Sequence, residues 1–92
     1  MSTQSVGPLA STLNLDSLRN TLAMKGLSSR QSEIVTLVMS GLSNREIADK
    51  LFISEKAVRS HLSDTYKKLV VKSRAQLIVY CLPHTFHTKE AS

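Results

Sequence analysis

The chain has 92 residues, with twelve Lys or Arg against seven Asp or Glu, which gives a formal net charge of +5 at neutral pH. This length fits one small domain with a modest core, which argues against an enzyme with its own substrate cavity. The hydrophobic fraction of 41%, with only three Gly and two Pro, argues against intrinsic disorder. The positive charge indicates an anionic partner, which is the first hypothesis to test.

The sequence has no feature of a secreted or membrane protein. Residues Met1 to Leu13 have neither the basic start nor the long apolar run of a signal peptide. The longest apolar run, residues 77–82, is far shorter than the ~20 residues that span a bilayer. The single cysteine, Cys81, allows no internal disulfide. We therefore expect a cytoplasmic protein with no membrane partner.

The first predicted element is a helix over residues 15–25, within an N-terminal extension formed by residues 1–26. Asn14 is a suitable N-cap for this helix, and Gly26 is a suitable stop. Leucines on one face of the helix are Leu15, Leu18 and Leu22. A stripe of this kind is more typical of packing than of a docking site.

Serines mark the starts of four further helices. Three of them are followed three residues later by an amide or an acid, which is the capping-box pattern. These pairs are Ser28 with Gln31, Ser43 with Glu46, and Ser73 with Gln76.

Ser54 is a one-sided cap because Ala57 has no side chain that reaches back. Gly41 and Pro83 are stop signals after the first and the last of these helices. The predicted helices are residues 29–40, 44–51, 55–69 and 74–82.

The apolar residues of these segments recur at helical spacing, and none alternates as a strand would. Four short amphipathic helices need a shared core, so the sequence predicts an all-α, four-helix domain over residues 27–82. The N-terminal extension adds one helix, and residues 83–92 form a tail. A tight turn at residues 52–54 and the small Ala48 before it predict a helix-turn-helix.

The helix predicted at residues 55–69 has two different faces. At 100° per residue, one face gathers five side chains within about 60° of one another. They are Lys56, Arg59, Ser60, Ser63 and Lys67. The opposite face carries Val58, Leu62, Thr65 and Leu69. An α-helix fits the major groove of DNA, where Arg and hydroxyl groups contact base edges.

Cations continue beyond this face, where Lys68, Lys72 and Arg74 are placed to contact phosphates. A cationic helix face is often only solvated surface, which is the simpler alternative. Residues 56–74 contain six cations and one acid, so this segment alone carries five net positive charges. That concentration favours a nucleic-acid interface.

Four motifs stand in order along the chain: Leu27-Ser-Ser-Arg-Gln, Gly41-Leu-Ser-Asn-Arg-Glu-Ile-Ala, Leu51-Phe-Ile-Ser-Glu-Lys-Ala-Val-Arg-Ser-His-Leu and Lys68-Leu-Val-Val-Lys-Ser-Arg. With them the chain resembles the LuxR-type helix-turn-helix of LuxR, NarL, FixJ and GerE-like bacterial regulators, over residues 27–82. The resemblance implies a transcription regulator whose third helix enters the major groove and whose fourth mediates dimerisation on an inverted repeat. The 92 residues leave no length for a receiver or ligand-sensing domain, so the chain, if it is the whole protein, is expected to resemble stand-alone GerE-like members.

The resemblance also implies roles for single residues. Its base-facing positions fall on Arg59, Ser60 and Ser63. Its phosphate-facing positions fall on Asn44, Lys56, His61, Lys67 and Lys68. The implied partners are double-stranded DNA and a second copy of the chain. RNA polymerase and a longer LuxR-type regulator are further candidates.

Three residues depart from the pattern of the family. Ala57 stands where Thr is common, so a phosphate-binding hydroxyl is absent. Ser29 stands where Pro is common, which reduces preorganisation of that helix. Val70 stands where Gly is common, and a β-branched residue resists the left-handed conformation. We therefore expect a different exit from the recognition helix and a different placement of Lys72 and Arg74.

The last predicted helix is apolar almost all round, with Arg74 and Gln76 as its only strongly polar residues. One side suits the core, and the other is a candidate dimer surface. The dimer residues predicted are Leu77, Ile78, Val79, Cys81 and Leu82. The alternative is a monomer in which the N-terminal segment covers this helix. A second function also stays open: a protein-interaction module that pairs through this helix with a longer LuxR-type regulator.

Other constellations do not support catalysis or metal binding. Cys81, His84 and His87 are three residues apart, but a structural zinc site needs four ligands. His61 and Cys81 lack an acid that would orient the imidazole. No glycine-rich phosphate loop or pair of catalytic carboxylates is present. We expect no enzyme activity, no metal and no cofactor.

Overall fold

The computed structural model describes residues 14–85, and this range is entirely helical with no strand. The helices are α1 (Leu15–Met24), α2 (Ser29–Met39), α3 (Asn44–Leu51), α4 (Glu55–Leu69) and α5 (Arg74–Cys81), followed by a short 3-10 helix (Leu82–His84). The all-α prediction is confirmed, and each helix lies within one residue of its predicted bounds. Residues 1–13 and 86–92, which include His87 and most of the predicted tail, lie outside the described residues.

Side-chain caps begin the helices as predicted, with one exception. In the box that begins α2, Ser28 Oγ accepts from the Gln31 N–H at 3.1 Å, and Gln31 Oε1 accepts from the Ser28 N–H at 3.0 Å. The corresponding box at α3 is also complete. Before α4, Ser54 Oγ accepts from the Ala57 N–H without a reciprocal bond, as expected.

The box predicted before α5 is only half formed. Ser73 Oγ accepts from the Gln76 N–H at 3.1 Å, but Gln76 Oε1 accepts from the N–H of Lys72, at 2.7 Å, instead of from Ser73. The backbone explains the difference. Ser73 has φ −156°, whereas the N-cap serine of α2 has φ −71°, so the Ser73 N–H points elsewhere.

Four helices end on a residue in the left-handed conformation, and two of these residues are not glycine. The four are Gly26, Gly41, Phe52 and Val70, with φ of 90°, 95°, 60° and 58°. After α4, the Val71 N–H donates to the Tyr66 carbonyl at 2.9 Å, the bond that defines a Schellman motif. The expectation that Val70 alters this exit was wrong, because the motif holds its backbone in the conformation that glycine favours.

The core takes fully buried side chains from all five α-helices. They include Leu18 and Leu22 of α1, Ile34 and Val35 of α2, Ile47 of α3, Val58 of α4, and Leu77 of α5. The long α4 packs against both α2 and α3, and α1 packs against α2 and the 3-10 helix. The Asn14 N–H donates to the Thr85 carbonyl, which joins the two ends of the described chain. Across residues 14–85, no helix has the length and apolar character that crossing a membrane requires.

Candidate nucleic-acid interface

The two predicted faces of α4 are both present. Val58 and Thr65 are fully buried, and Leu62 and Leu69 are at most 5% exposed. The opposite side, which we call the recognition face, is exposed along its length. It consists of Lys56, Arg59, Ser60, Ser63 and Lys67. At 3.6 residues per turn, it runs along about three turns of helix.

Among residues 14–85, the cations of the recognition face have no acidic partner within ion-pair distance. In the described part of the chain, the single ion pair joins Arg30 and Glu33, at 3.4 Å on the surface of α2. No carboxylate among residues 14–85 therefore forms an ion pair with Lys56, Arg59 or Lys67, and all three side chains are exposed to solvent. A face with three such cations and two hydroxyl groups attracts a polyanion and offers hydrogen bonds to it.

The helix before the recognition helix is arranged as a helix-turn-helix requires. α3 packs against α4, and the small Ala48 is 4% exposed near the end of α3. The chain then turns within three residues, from Phe52 to Ser54. Phe52 is 94% exposed at this turn. The short connection fixes the start of α4 relative to α3.

A pocket of about 320 Å³ lies between the start of α3 and the side of α4. Its lining residues are Asn44, Arg59, Leu62, Ser63 and Tyr66. Four of the five can donate hydrogen bonds from an amide, a guanidinium or a hydroxyl group. None is acidic. The pocket shares Arg59 and Ser63 with the recognition face, so the two adjoin.

Lys68 does not point along the recognition face. Its Nζ donates to the Gly26 carbonyl at 3.0 Å and to Gln31 Oε1 at 2.9 Å. The first bond reaches Gly26, just after α1, and the second reaches the capping box of α2. The ammonium group predicted to contact phosphate therefore connects α4 to α1 and α2 in this structure.

Arg74 is also engaged within the protein. Its Nη1 donates to Asn44 Oδ1, and its Nη2 donates to the Leu42 carbonyl, both at 2.6 Å. Arg74 is half-buried, as is Asn44. The side chain thus joins the start of α5 to the segment that begins α3.

The remaining predicted phosphate contacts lie around the recognition face. His61 is half-buried on the side of α4, and Lys72 is exposed in the turn before α5. Ala57, where the family pattern has Thr, is half-buried in the first turn of α4. Among residues 14–85, no group of three or more His, Cys, Asp or Glu is arranged to hold a metal. The candidate ligand His87 lies outside that range.

The predicted dimer surface on α5 needs correction. Leu77 and Cys81 are fully buried and lie in the core, and Ile78 and Leu82 pack partly against it. Burial raises the pKa of the Cys81 thiol to about 11. Of the five residues predicted, Val79 alone is well exposed, at 67%. Residues four apart share a helix face, so 77 and 81 point inward together.

The exposed side of α5 forms a shallow groove of about 400 Å³, which we call the α5 groove. It is lined by Val71, Ala75, Gln76, Val79 and Tyr80. Four of these five side chains are largely apolar. Sequence reasoning missed all but Val79 because an almost uniformly apolar helix has no periodic signal that tells its two sides apart.

Comparison with known proteins agrees with this geometry. The family described as bacterial regulatory proteins, luxR family, matches residues 25–81. The oxygen regulatory protein NreC of Staphylococcus aureus (strain JH9) is 39% identical over 82 residues, which are 89% of this chain and 38% of NreC. The crystal structure of the response regulator ChrA, from a heme-sensing two-component system, has a TM-score of 0.57 and 48% identity over 59% of this chain and 27% of that one.

The chain thus spans well under half the length of both relatives. The family match itself covers more than half of this chain, from the end of α1 to the end of α5. It includes the helix-turn-helix and the whole recognition face. The chain therefore belongs to the LuxR family of bacterial regulatory proteins, a family of DNA-binding transcription regulators.

Proposed function

We propose that this chain binds double-stranded DNA sequence-specifically, as a homodimer on an inverted repeat, with α4 in the major groove, and so regulates transcription. The observation that carries the proposal is the recognition face of α4, where unneutralised cations flank two hydroxyl groups on an exposed surface. The apolar reverse side anchors the helix in the core, so the face is presented on a rigid element.

We assign the base contacts to Arg59, Ser60 and Ser63. Arg59 can bind O6 and N7 of guanine with two parallel hydrogen bonds, which is the commonest specific contact in the major groove. The two serine hydroxyls can donate or accept, so they suit several bases. All three side chains are exposed, and they lie within two consecutive turns of α4.

We assign phosphate contacts to Lys56, Lys67 and Lys72, with Asn44 and His61 beside them. Lys56 and Lys67 stand near opposite ends of the recognition face, where the two DNA strands flank a helix in the groove. The charged groups of Lys68 and Arg74 have internal partners. We therefore leave these two residues out of the direct phosphate contacts.

The α5 groove is the surface we propose for dimerisation. Its apolar lining is exposed next to a helix whose inner side already fills the core. A second copy that presents the same groove would cover it in a two-fold contact, in which each protomer contributes the same residues. Such a dimer places two recognition helices on half-sites about one helical turn apart.

The α5 groove also supports the second candidate function, in which the chain pairs with a longer LuxR-type regulator and binds little DNA itself. The two candidates differ in what the purified chain does alone. Under the main proposal it forms a dimer and binds DNA with sequence preference. Under the alternative it is a monomer without saturable, sequence-dependent binding.

The test starts from a random oligonucleotide pool, from which bound sequences are selected with the purified chain. Affinity is then titrated on the selected site and on a scrambled site, with a sizing measurement alongside. We expect an inverted repeat with half-site centres about 10 base pairs apart. Three lysine contacts per protomer predict about six phosphate contacts, and so a loss of about 10³-fold in affinity between about 50 and 200 mM salt. Monomeric protein that selects no sequence would contradict the proposal.

A further inference from the structure

We infer that Arg74 is a positioning residue for DNA binding: its guanidinium orients the side-chain amide of Asn44 so that the amide NH2 faces a DNA phosphate beside the α3–α4 pocket. The inference rests on the proposed DNA binding and adds to it a residue that acts through another. It also gives Arg74 a different role from the direct phosphate contact that its charge predicts.

The first step is the chemistry of the bond between the two side chains. A guanidinium group has five N–H donors and no acceptor. The Asn44 atom that meets Arg74 Nη1 at 2.6 Å must therefore be the carbonyl oxygen Oδ1. The amide NH2 is then directed away from Arg74. Removal of the guanidinium would leave the amide free to rotate.

The second step is that Arg74 is itself held in place. Its Nη2 donates to the Leu42 carbonyl at 2.6 Å, so the planar group is fixed at two points. Both points belong to the short segment that begins α3. A lysine at position 74 would keep the charge, but a single ammonium group on a flexible stem does not reproduce the two-pronged geometry.

The third step concerns the partner that the NH2 group of Asn44 can bind. Asn44 lines the pocket that also contains Arg59, Ser63 and Tyr66. Within the described residues, its amide nitrogen donates no hydrogen bond, since the side chain takes part only as the acceptor from Arg74. The pocket adjoins the recognition face, and its polar groups are all able to donate. A phosphate oxygen of the DNA backbone is the partner that such a set of donors fits.

Four variants test the inference in the full chain, with affinity measured on the selected site over a range of salt. Arg74→Lys and Asn44→Ala are each expected to weaken binding about tenfold, equally on selected and scrambled DNA, because a phosphate contact carries no sequence information. The slope of log affinity against log salt should stay unchanged in both. The double variant Arg74→Lys/Asn44→Ala should also lose about tenfold, because Arg74 acts through Asn44.

Asn44→Asp separates positioning from a purely structural bond. The carboxylate still accepts from Arg74, now with charge assistance, so the thermal midpoint of unfolding should not fall. It lacks the NH2 group and repels phosphate, so DNA affinity should fall at least as far as in Asn44→Ala. This variant can overturn the inference even where Arg74→Lys proves too unstable to assay, because wild-type binding by Asn44→Asp would mean that the NH2 group contacts no phosphate.

Lys72→Ala is the matched control, since it removes an exposed cation two residues before Arg74. Its loss should multiply with that of Asn44→Ala, and it should reduce the salt slope by about one. The inference is overturned if Arg74→Lys and Asn44→Ala lose about a hundredfold together, or if Asn44→Asp binds DNA as the wild type does. If the wild-type chain selects no DNA at all, the proposed function fails first, and that result is distinct from either of these.

Discussion

Val70 shows how a single residue can take a conformation that its chemistry disfavours. Its φ is 58°, and its side chain is 86% exposed, so it contributes little packing in return. A left-handed conformation costs an L-residue about 1–2 kcal/mol. The hydrogen bond from the Val71 N–H to the Tyr66 carbonyl and the burial of Leu69 hold the backbone there.

We expect Val70→Gly to raise the free energy of unfolding by about 1 kcal/mol, because glycine adopts a positive φ without the steric cost. Urea denaturation monitored by circular dichroism measures the change. Val70→Ala is the control, since it removes only the β-branch and should gain less. A glycine variant that is less stable than the wild type would show that the exit of α4 is not strained.

Thr65 presents a different local problem, which is a buried hydroxyl without a partner. The residue is fully buried, and its Oγ1 has no hydrogen bond within the described chain. Thr65→Val replaces the hydroxyl with a methyl group of similar size, so we expect a gain of about 1 kcal/mol in unfolding free energy.

Thr36→Val is the matched control for that change. Thr36 is 4% exposed, and its Oγ1 donates to the Glu33 carbonyl at 2.7 Å. The same substitution there removes a bond that is made, so it should give no gain. Equal effects at Thr36 and Thr65 in urea denaturation would mean that the Thr65 hydroxyl is satisfied after all.

At the scale of one element, the two faces of α4 have different roles. Its apolar face packs against α2 and α3, and its recognition face stays in solvent. Because both faces follow from spacing along one helix, the sequence predicted which residues belong to each. The contacts of the recognition face with DNA remain a proposal.

Arg59→Ala and Lys67→Ala should separate base recognition from phosphate attraction. We expect Arg59→Ala to cost about 1–3 kcal/mol on the selected site and to relax its base preference. Lys67→Ala should weaken selected and scrambled DNA alike and reduce the salt slope by about one. Titrations on both DNAs at several salt concentrations provide the comparison. Indistinguishable profiles for the two variants would refute this division.

At the scale of the whole molecule, α1 is part of the domain although the family match begins at residue 25. It buries Leu18 and Leu22 completely. Lys68 of α4 donates to the carbonyl of Gly26, just after α1. The N-terminal helix and the recognition helix therefore belong to one packed unit.

Leu18→Ala tests that integration. Truncation of a fully buried leucine leaves a cavity, so we expect the unfolding free energy to drop by about 2–5 kcal/mol. Met24→Ala on the same helix is the control, because Met24 is 87% exposed and its loss should stay within about 0.5 kcal/mol. A small effect at Leu18, measured by thermal and urea unfolding, would mean that α1 docks only loosely.

Val79→Glu tests the α5 groove as the dimer surface. Val79 is 67% exposed, so the charge should leave the fold intact. Within a two-fold contact, the charge would lose its hydration and face its own copy, so we expect dissociation and at least about a tenfold loss of affinity for the inverted repeat. Met24→Glu places the same charge on another exposed apolar residue and should change neither property. Sizing and DNA titration of both variants provide the readout.

The sequence alone determined the helices and the two faces of α4. The caps join residues three apart, as Ser28 and Gln31 do, and the faces recur every three or four residues. Both signals are local, so they can be found without knowledge of the fold. The failures at this scale, the half-formed box at Ser73 and the exit at Val70, depended on backbone angles that residue type does not specify.

Only the tertiary structure decided the partners of the cations and the exposed side of α5. Lys68 binds groups 37 and 42 residues away, and Arg74 binds groups 30 and 32 residues away. The residue type alone shows that a Lys or Arg side chain can bind either an anion or a carbonyl oxygen. Packing determines which of these two kinds of partner lies close enough to bind. The sequence of α5 is apolar on almost all sides, so it does not show which side is buried. Contact with α2 determines that side.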